Sequence, residues 1–229
     1  MSPRVSQTLP TILLTPRRDP FDDPAWLFEP KYDGYRGLLY VTRNGCHFRS
    51  KRGNILKRFE ELCYRVREEL PVKEAILDGE VVAIDSEGRQ NFRDLRVGRG
   101  NLHYAAFDAL WIDGKDLRPL LLTRRKQLLT RLIPATTTVL SQVFSIEGRG
   151  PDWFAAAERL DLEGIVAKRK ADAYRSETVW YKIKSRTYTQ GFEPPHQAGV
   201  GGCCICPRRW PTCAGAKFLQ ARGKDLILP

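Results

Sequence analysis

Apolar positions along the chain recur with two periods. From Lys57 to Leu70, the residues Phe59, Leu62, Cys63, Val66 and Leu70 fall at helical spacing with charges between them, which predicts an amphipathic helix. Elsewhere the apolar text is β-rich. Trp26 to Pro30, Arg36 to Thr42, Cys46 to Ser50, Ala75 to Ile84, Leu102 to Ile112, Thr137 to Phe144, Gly164 to Arg169 and Thr178 to Ile183 read as strands. Asn44-Gly45 is a two-residue hairpin signal, and turns are expected at Ser86-Glu87-Gly88, at Asp113-Gly114 and over residues 171–176. Thr123 is placed to cap a helix running to about Leu132, and Pro151-Asp152 to open one through Leu160. Strands and helices mix without a βαβ alternation. The expected class is therefore α+β, with largely antiparallel sheets flanked by helices.

The chain divides by texture into three parts. Residues 1–25 are rich in Pro, Asp and Arg and read as an irregular lead-in; residues 26–190 carry the periodic pattern; residues 191–229 bring Pro, Gly and Cys clusters and read as an atypical, poorly ordered tail. With 229 residues and 42% hydrophobic content, the chain can form one full core. The nearest thing to a membrane span, Tyr104 to Ile112, is interrupted by Asp108, and Met1-Ser2-Pro3-Arg4 lacks a secretory signal's apolar stretch. A cytoplasmic location with no membrane partner is expected.

A net charge of +11 and a pI near 9.5 point to a polyanionic partner. A merely solvated basic surface is the alternative, but Lys and Arg recur inside the motifs below as well as around them. Cys46 and Cys63 are expected as buried free thiols. His196, Cys203, Cys204, Cys206 and Cys213 crowd the tail, but their spacing matches no paired zinc knuckle.

Five segments fall in a telling order: Lys31-Tyr32-Asp33-Gly34-Tyr35-Arg36, Ser50-Lys51-Arg52-Gly53-Asn54, Asp78-Gly79-Glu80, Glu163-Gly164-Ile165-Val166-Ala167-Lys168 and Trp180-Tyr181-Lys182-Ile183-Lys184. A lysine, an acid, a glycine and an arginine just after an apolar run can attack a phosphate and hold a nucleotide. Lys182 and Lys184 alternate with Tyr181 and Ile183, so both project to one face of a strand. Glu80 and Glu163 sit at the edges of apolar strands, where carboxylates can hold Mg²⁺ for phosphoryl transfer. Each feature alone has a bland reading, as a surface lysine, strand punctuation or a basic edge; their order weighs against that. No G-x-x-x-x-G-K-[ST] occurs, which weighs against a P-loop ATPase.

At these residues the sequence resembles the adenylation (nucleotidyltransferase) domain of ATP-dependent DNA ligases of the bacterial type, over roughly residues 25–190. Lys31 to Arg36 matches the family's K-x-D-G-x-R, and Tyr104 to Asp108 carries its motif IIIa. The resemblance implies an ATP-grasp-like nucleotidyltransferase fold, ATP and Mg²⁺ as cofactors, nicked double-stranded DNA as partner, and strand joining in repair or recombination. It implies that Lys31 is the nucleophile that takes AMP, with Asp33 and Gly34 fixing its turn. Lys182 and Lys184 would stabilise α-phosphate charge, Lys168 pointing the same way. Arg36 would touch the ribose or reacting phosphate, Glu29 would read the adenine edge, and Phe107 and Val166 would pack the two faces of the base. Glu80 and Glu163 would serve the metal or ribose, and Arg52 would grip the 5′-phosphate of the nick.

Ligases of this class carry an OB-fold domain after the last of these motifs, whereas here the ligase-like text stops soon after Tyr188-Thr189-Gln190. The expectation is a truncated or frame-altered C-terminus, weak or absent nick sealing by this chain alone, and a separate protein supplying the OB-fold or end-binding function. The alternatives are another covalent nucleotidyltransferase (an RNA ligase or a capping guanylyltransferase) and a non-catalytic nucleic-acid-binding remnant.

Overall fold

Ten consecutive residues from Ala75 to Ile84 carry nearly unbroken aliphatic text around Asp78-Gly79-Glu80, and they form the central strand of one of two sheets. The computed structural model describes residues 9–190. The first sheet runs β1 (Leu14–Pro16), β11 (Trp180–Lys184), β10 (Gly164–Arg169), β2 (Asp22–Pro30), β9 (Ile146–Arg149). The second runs β4 (Gly45–Ser50), β3 (Tyr35–Thr42), β5 (Ala75–Ile84), β6 (Asn101–Ile112), β7 (Lys115–Asp116), with β8 (Leu140–Gln142) paired to β6. Pairing is antiparallel except at β1–β11 and β6–β8. Four α-helices complete the described fold: α1 (Glu60–Glu69), α2 (Phe92–Val97), α3 (Leu122–Leu132) and α4 (Gly150–Arg159). The α+β, largely antiparallel expectation holds.

Alternation along the strands sorts the core into layers. Ile165, Ala167 and Ile183 pack with Phe28, Trp153 and Ala157, placing α4 on the outer face of the first sheet. Leu39, Val41, Leu77 and Val81 pack with Phe59, Leu62, Val66 and Leu129 on the outer face of the second. The inner faces meet through Leu38, Tyr40, Ile76 and Leu110 on one side and Val166 and Trp180 on the other. On the outer face of the second sheet the Tyr104 ring lies over Gly79, where a Cβ would lie 2.6 Å from the ring and 2.7 Å from the Ala105 carbonyl oxygen.

Several local expectations shift. The hairpin loop is Arg43-Asn44 rather than Asn44-Gly45, because Gly45 pairs with Thr42 as the first residue of β4, and the Thr42 hydroxyl donates to its carbonyl at 3.0 Å. Thr123 lies inside α3 rather than capping it; Leu121 is the cap residue, and the Thr123 amide donates to Lys170 O at 3.3 Å. The helix expected from Lys57 opens as a 3₁₀ turn (Lys57–Phe59) before α1. The lead-in carries β1 and the start of β2, anchored by fully buried Ile12, because pairing with β11 orders it. Helix α2 and strand β9 have no counterpart in the sequence reading. Asn91 caps α2 by accepting from the Asp94 amide, and Gly98 ends it at φ 72°. Cys46 and Cys63 are free thiols, Cys63 buried as expected and Cys46 only partly so; the tail cysteines and His196 lie outside the described residues.

Candidate active site

Antiparallel register is what gathers the motifs. Val166 pairs with Glu29 on one side and Lys182 on the other, so these three point the same way across β2, β10 and β11. Lys184, opposite Gly164, and Lys168, opposite Leu27, stand on the same face two residues to either side. On the facing sheet Arg36 pairs with Glu80 and Leu38 with Asp78, which puts Arg36, Asp78 and Glu80 on its inner face. The site is the seam between the two sheets.

Lys31 occupies the open end of that seam, in the turn that joins β2 to β3. Its amide donates to Gly164 O at 2.9 Å, and its side chain is 15% exposed. Lys31 Nζ bonds Glu163 Oε2, while Lys184 Nζ lies 2.7 Å from Glu163 Oε1. One carboxylate thus bridges two of the expected catalytic lysines. Lys182 has no ion-pair partner among the described residues. Gly34 is required by space alone: a Cβ there would lie 2.3 Å from Val81 O.

Glu80 stands next to this chain. Burial pushes its carboxyl up to about 8, against the pull of Lys31 and Arg36 and with repulsion from Asp78 and Glu163. Its carboxyl group makes no hydrogen bond among the described residues. Asp33 is also raised, by burial first, while a hydrogen bond from Tyr188 pulls the other way.

Deeper in, the side chains are committed to one another. Arg36 donates from Nε and Nη2 to the two Asp78 oxygens at 3.1 and 2.7 Å and from Nη1 to Ile12 O at 2.6 Å. Burial opposes its charge, but Asp78 holds it ionised. The Tyr174 hydroxyl donates to Asp78 at 2.7 Å. Below this, Glu29 is 1% exposed and lies 2.5 Å from both Lys126 Nζ and Lys168 Nζ. Lys168, expected beside Lys182 and Lys184, instead sits 4.1 Å from the ring centroids of Phe107 and Trp180 and is 2% exposed. Alternation gave it the correct face; four residues along β10 separate it from Gly164, which pairs with Lys184. Burial lowers its ammonium to about 8, with Glu29 resisting and Lys126 adding to the fall. Phe107 packs against the cluster that contains Val166, with the Trp180 ring edge-on at 5.8 Å.

Arg52 stands apart from this cluster. It is exposed in the turn leaving β4, where Ser50 Oγ accepts from the amides of Arg52 and Asn54 at 3.3 and 3.2 Å. Because Ser50 pairs with Gly37, the turn lies at the same end of the sheet as Arg36.

Lys126, Asp78, Tyr174 and Tyr188 were not singled out as site residues. Lys126 had a readable signal: with Leu122, Arg125 and Leu129 it completes the buried i, i+3, i+4, i+7 stripe of α3, where a charge needs a partner. Tyr174 and Tyr188 carried none.

The family model for the ATP dependent DNA ligase domain matches residues 17–184, and this stretch holds Lys31, Glu80, Glu163, Lys182 and Lys184. The chain belongs to the ATP-dependent DNA ligase family. It carries that family's catalytic nucleotidyltransferase domain, and the fold matches as well. The multifunctional non-homologous end joining DNA repair protein LigD of Mycobacterium tuberculosis strain H37Rv is 31% identical over 183 residues, which cover 77% of this chain and 24% of that protein. The SPbeta prophage-derived DNA ligase-like protein LigB of Bacillus subtilis is 29% identical over 190 residues, covering 78% of this chain and 68% of its own length. A solved structure of mycobacterial DNA ligase D complexed with ATP and MES superposes with a TM-score of 0.64 at 28% identity, over 77% of this chain and 60% of that one. The chain spans about a quarter of the length of the LigD proteins of M. tuberculosis that it matches. Among the described residues no helix is long and apolar enough to cross a membrane.

Proposed function

We propose that this chain performs the covalent chemistry of DNA strand joining. Lys31 attacks the α-phosphorus of ATP, an N–P bond forms as the bond to pyrophosphate breaks, and AMP then passes from the lysine to a 5′-phosphate at a nick in duplex DNA. The observation that carries this reading is the ion-pair chain Lys31–Glu163–Lys184 beside the Glu80 carboxyl, which feels the Lys31 charge but bonds no side chain among the described residues. Glu163, in contact with the amine, is the adjacent acceptor for the proton that Lys31 sheds. Lys182 and Lys184 face the same side and absorb charge on the α-phosphate.

The base would lie against Phe107 and Val166, with Glu29 at its edge and Arg36 at the ribose or reacting phosphate; Arg52 would take the 5′-phosphate through its fork. Glu80 and Glu163 suit magnesium, which takes one or two carboxylates and completes its shell with phosphate oxygens and water. Among the described residues no group of three ligating side chains exists to make a closed cage. When bound, the ion neutralises charge building on the phosphates. The basic surface suits DNA in the cytoplasm, with repair of broken strands as the setting that the LigD relatives' names suggest. A separate protein bearing an OB-fold or an end-binding function suits as partner.

The test is a nicked duplex labelled at its 5′-phosphate, incubated with the chain, Mg²⁺ and either ATP or GTP. The reading predicts a 5′-adenylated strand with ATP and not with GTP. No nucleotide on either the DNA or the protein would overturn it in favour of a binding remnant. Equal use of GTP would favour a guanylyltransferase.

A further inference from the structure

Residues 185–190, which follow β11, turn back over the open end of the seam and bond three segments of the site. The Ser185 amide donates to Glu163 O at 3.0 Å and its hydroxyl to Glu158 at 3.2 Å. Thr189 donates from its amide and hydroxyl to the two Asp161 oxygens at 2.9 and 2.6 Å, which secures the turn just before Glu163. Gln190 accepts from the Phe92 amide at 3.0 Å and donates to Gln90 O at 2.8 Å, in the loop beyond the strand that bears Glu80. Between them the Tyr188 hydroxyl donates to Asp33 Oδ2 at 2.9 Å, and the Gln90 side chain donates to Asp33 O. Asp33 is thus held at both its carboxylate and its carbonyl, two residues from Lys31.

We infer that Tyr188 is a positioning residue for the self-adenylation step, fixing the Lys31 turn through Asp33 while the strap around it ties that turn to the elements bearing Glu163 and Glu80. The inference rests on the function proposed above. A strap that only stapled the end of β11 would need bonds to its neighbouring strands. The Ser185 amide bond to Glu163 O is of that kind, but the bonds of Tyr188, Thr189 and Gln190 reach the nucleophile's turn and the two segments next to the acidic residues. Tyr188 is 8% exposed, so its ring stays packed when the hydroxyl is removed.

The experiment is single-turnover labelling of the full chain by ATP carrying label at the α-phosphate, in Mg²⁺, across a range of ATP concentrations. For Tyr188→Phe the maximal rate should fall about tenfold, the effect of losing one charge-assisted hydrogen bond from the reacting geometry, while half-saturating ATP stays within about twofold. Gln190→Ala, at an exposed position, loosens the same strap without touching the core and should cost about threefold. Its result decides the matter if Tyr188→Phe fails to fold. Wild-type rates in both variants would overturn the inference, as would a rate loss matched by the fraction unfolded or by a rise in half-saturating ATP. An unlabelled wild-type chain would instead sink the proposed function, and the role of Tyr188 with it.

Discussion

Glu29 is the strongest point of leverage in the seam. Its carboxylate is the shared partner of two buried ammonium groups, Lys126 and Lys168, at 2.5 Å from each. Glu29→Gln keeps the shape and removes the charge, which leaves two cations without their paired carboxylate. Breaking a buried pair by deleting one partner costs about 3–5 kcal/mol, a large part of the ~5–15 kcal/mol that holds a domain folded. Lys168 can relieve part of this by losing its proton. In the wild type its ammonium is already lowered from 10.5 to about 8, a fall worth about 3 kcal/mol at 1.36 kcal/mol per decade. The sign follows from proton counting. Between pH 8 and 10.5 the unfolded chain binds more protons at this residue than the folded one, so its contribution to stability rises with pH. Without Glu29 the folded value drops further, and the rise begins below pH 8. Urea unfolding of the nucleotide-free chain should therefore give a deficit of about 3–5 kcal/mol at pH 7 that shrinks up to about pH 8 and stays at the smaller value to pH 10. Glu29→Gln combined with Lys168→Met should recover about half of the deficit. A loss below about 1 kcal/mol at pH 7, or a deficit unchanged at pH 10, would refute the triad's energetic role.

Two further outcomes follow from the same kind of reasoning. Arg125 and Asp108 are both fully buried and pair at 2.8 Å through two bonds; Arg125→Met should cost about 3–5 kcal/mol by chemical denaturation, and adding Asp108→Leu should restore most of it. Glu80, raised to about 8, binds more protons folded than unfolded between its ordinary value of 4.5 and pH 8, so its contribution to stability falls as pH rises through that window. Glu80→Gln should flatten the stability profile from pH 5 to 8 and stabilise the nucleotide-free chain at pH 8 by about 1–3 kcal/mol, while labelling by ATP is lost.

Much of this fold was legible because its strands carry their own instructions. The spans read for β5 and β10 match the structure to the residue, since aliphatic text bounded by polar turns leaves little choice of register or period. The three-residue β1 could not be read that way. Leu14-Thr15-Pro16 has no alternation to detect, and it becomes a strand only through Trp180 to Lys182, far along the chain. The same holds for β9, whose partner β2 is more than a hundred residues away. In the site, alternation assigned faces correctly but not depth, which is why Lys168 was expected at the phosphate and lies under Phe107. Arg36 carried a nucleotide-facing expectation, and in the structure its fork is committed to Asp78; spacing along one strand cannot reveal a cross-strand partner. Tyr188 shows the limit most sharply, because its importance lies in a bond to Asp33, 155 positions earlier.

The most direct measurement is peptide mapping by mass spectrometry after the chain has been incubated with ATP and Mg²⁺. The account predicts one AMP per chain, attached through an acid-labile N–P bond to the peptide containing Lys31, and none in Lys31→Ala. AMP on another residue, or an unmodified chain beside an active ligase control, would contradict it.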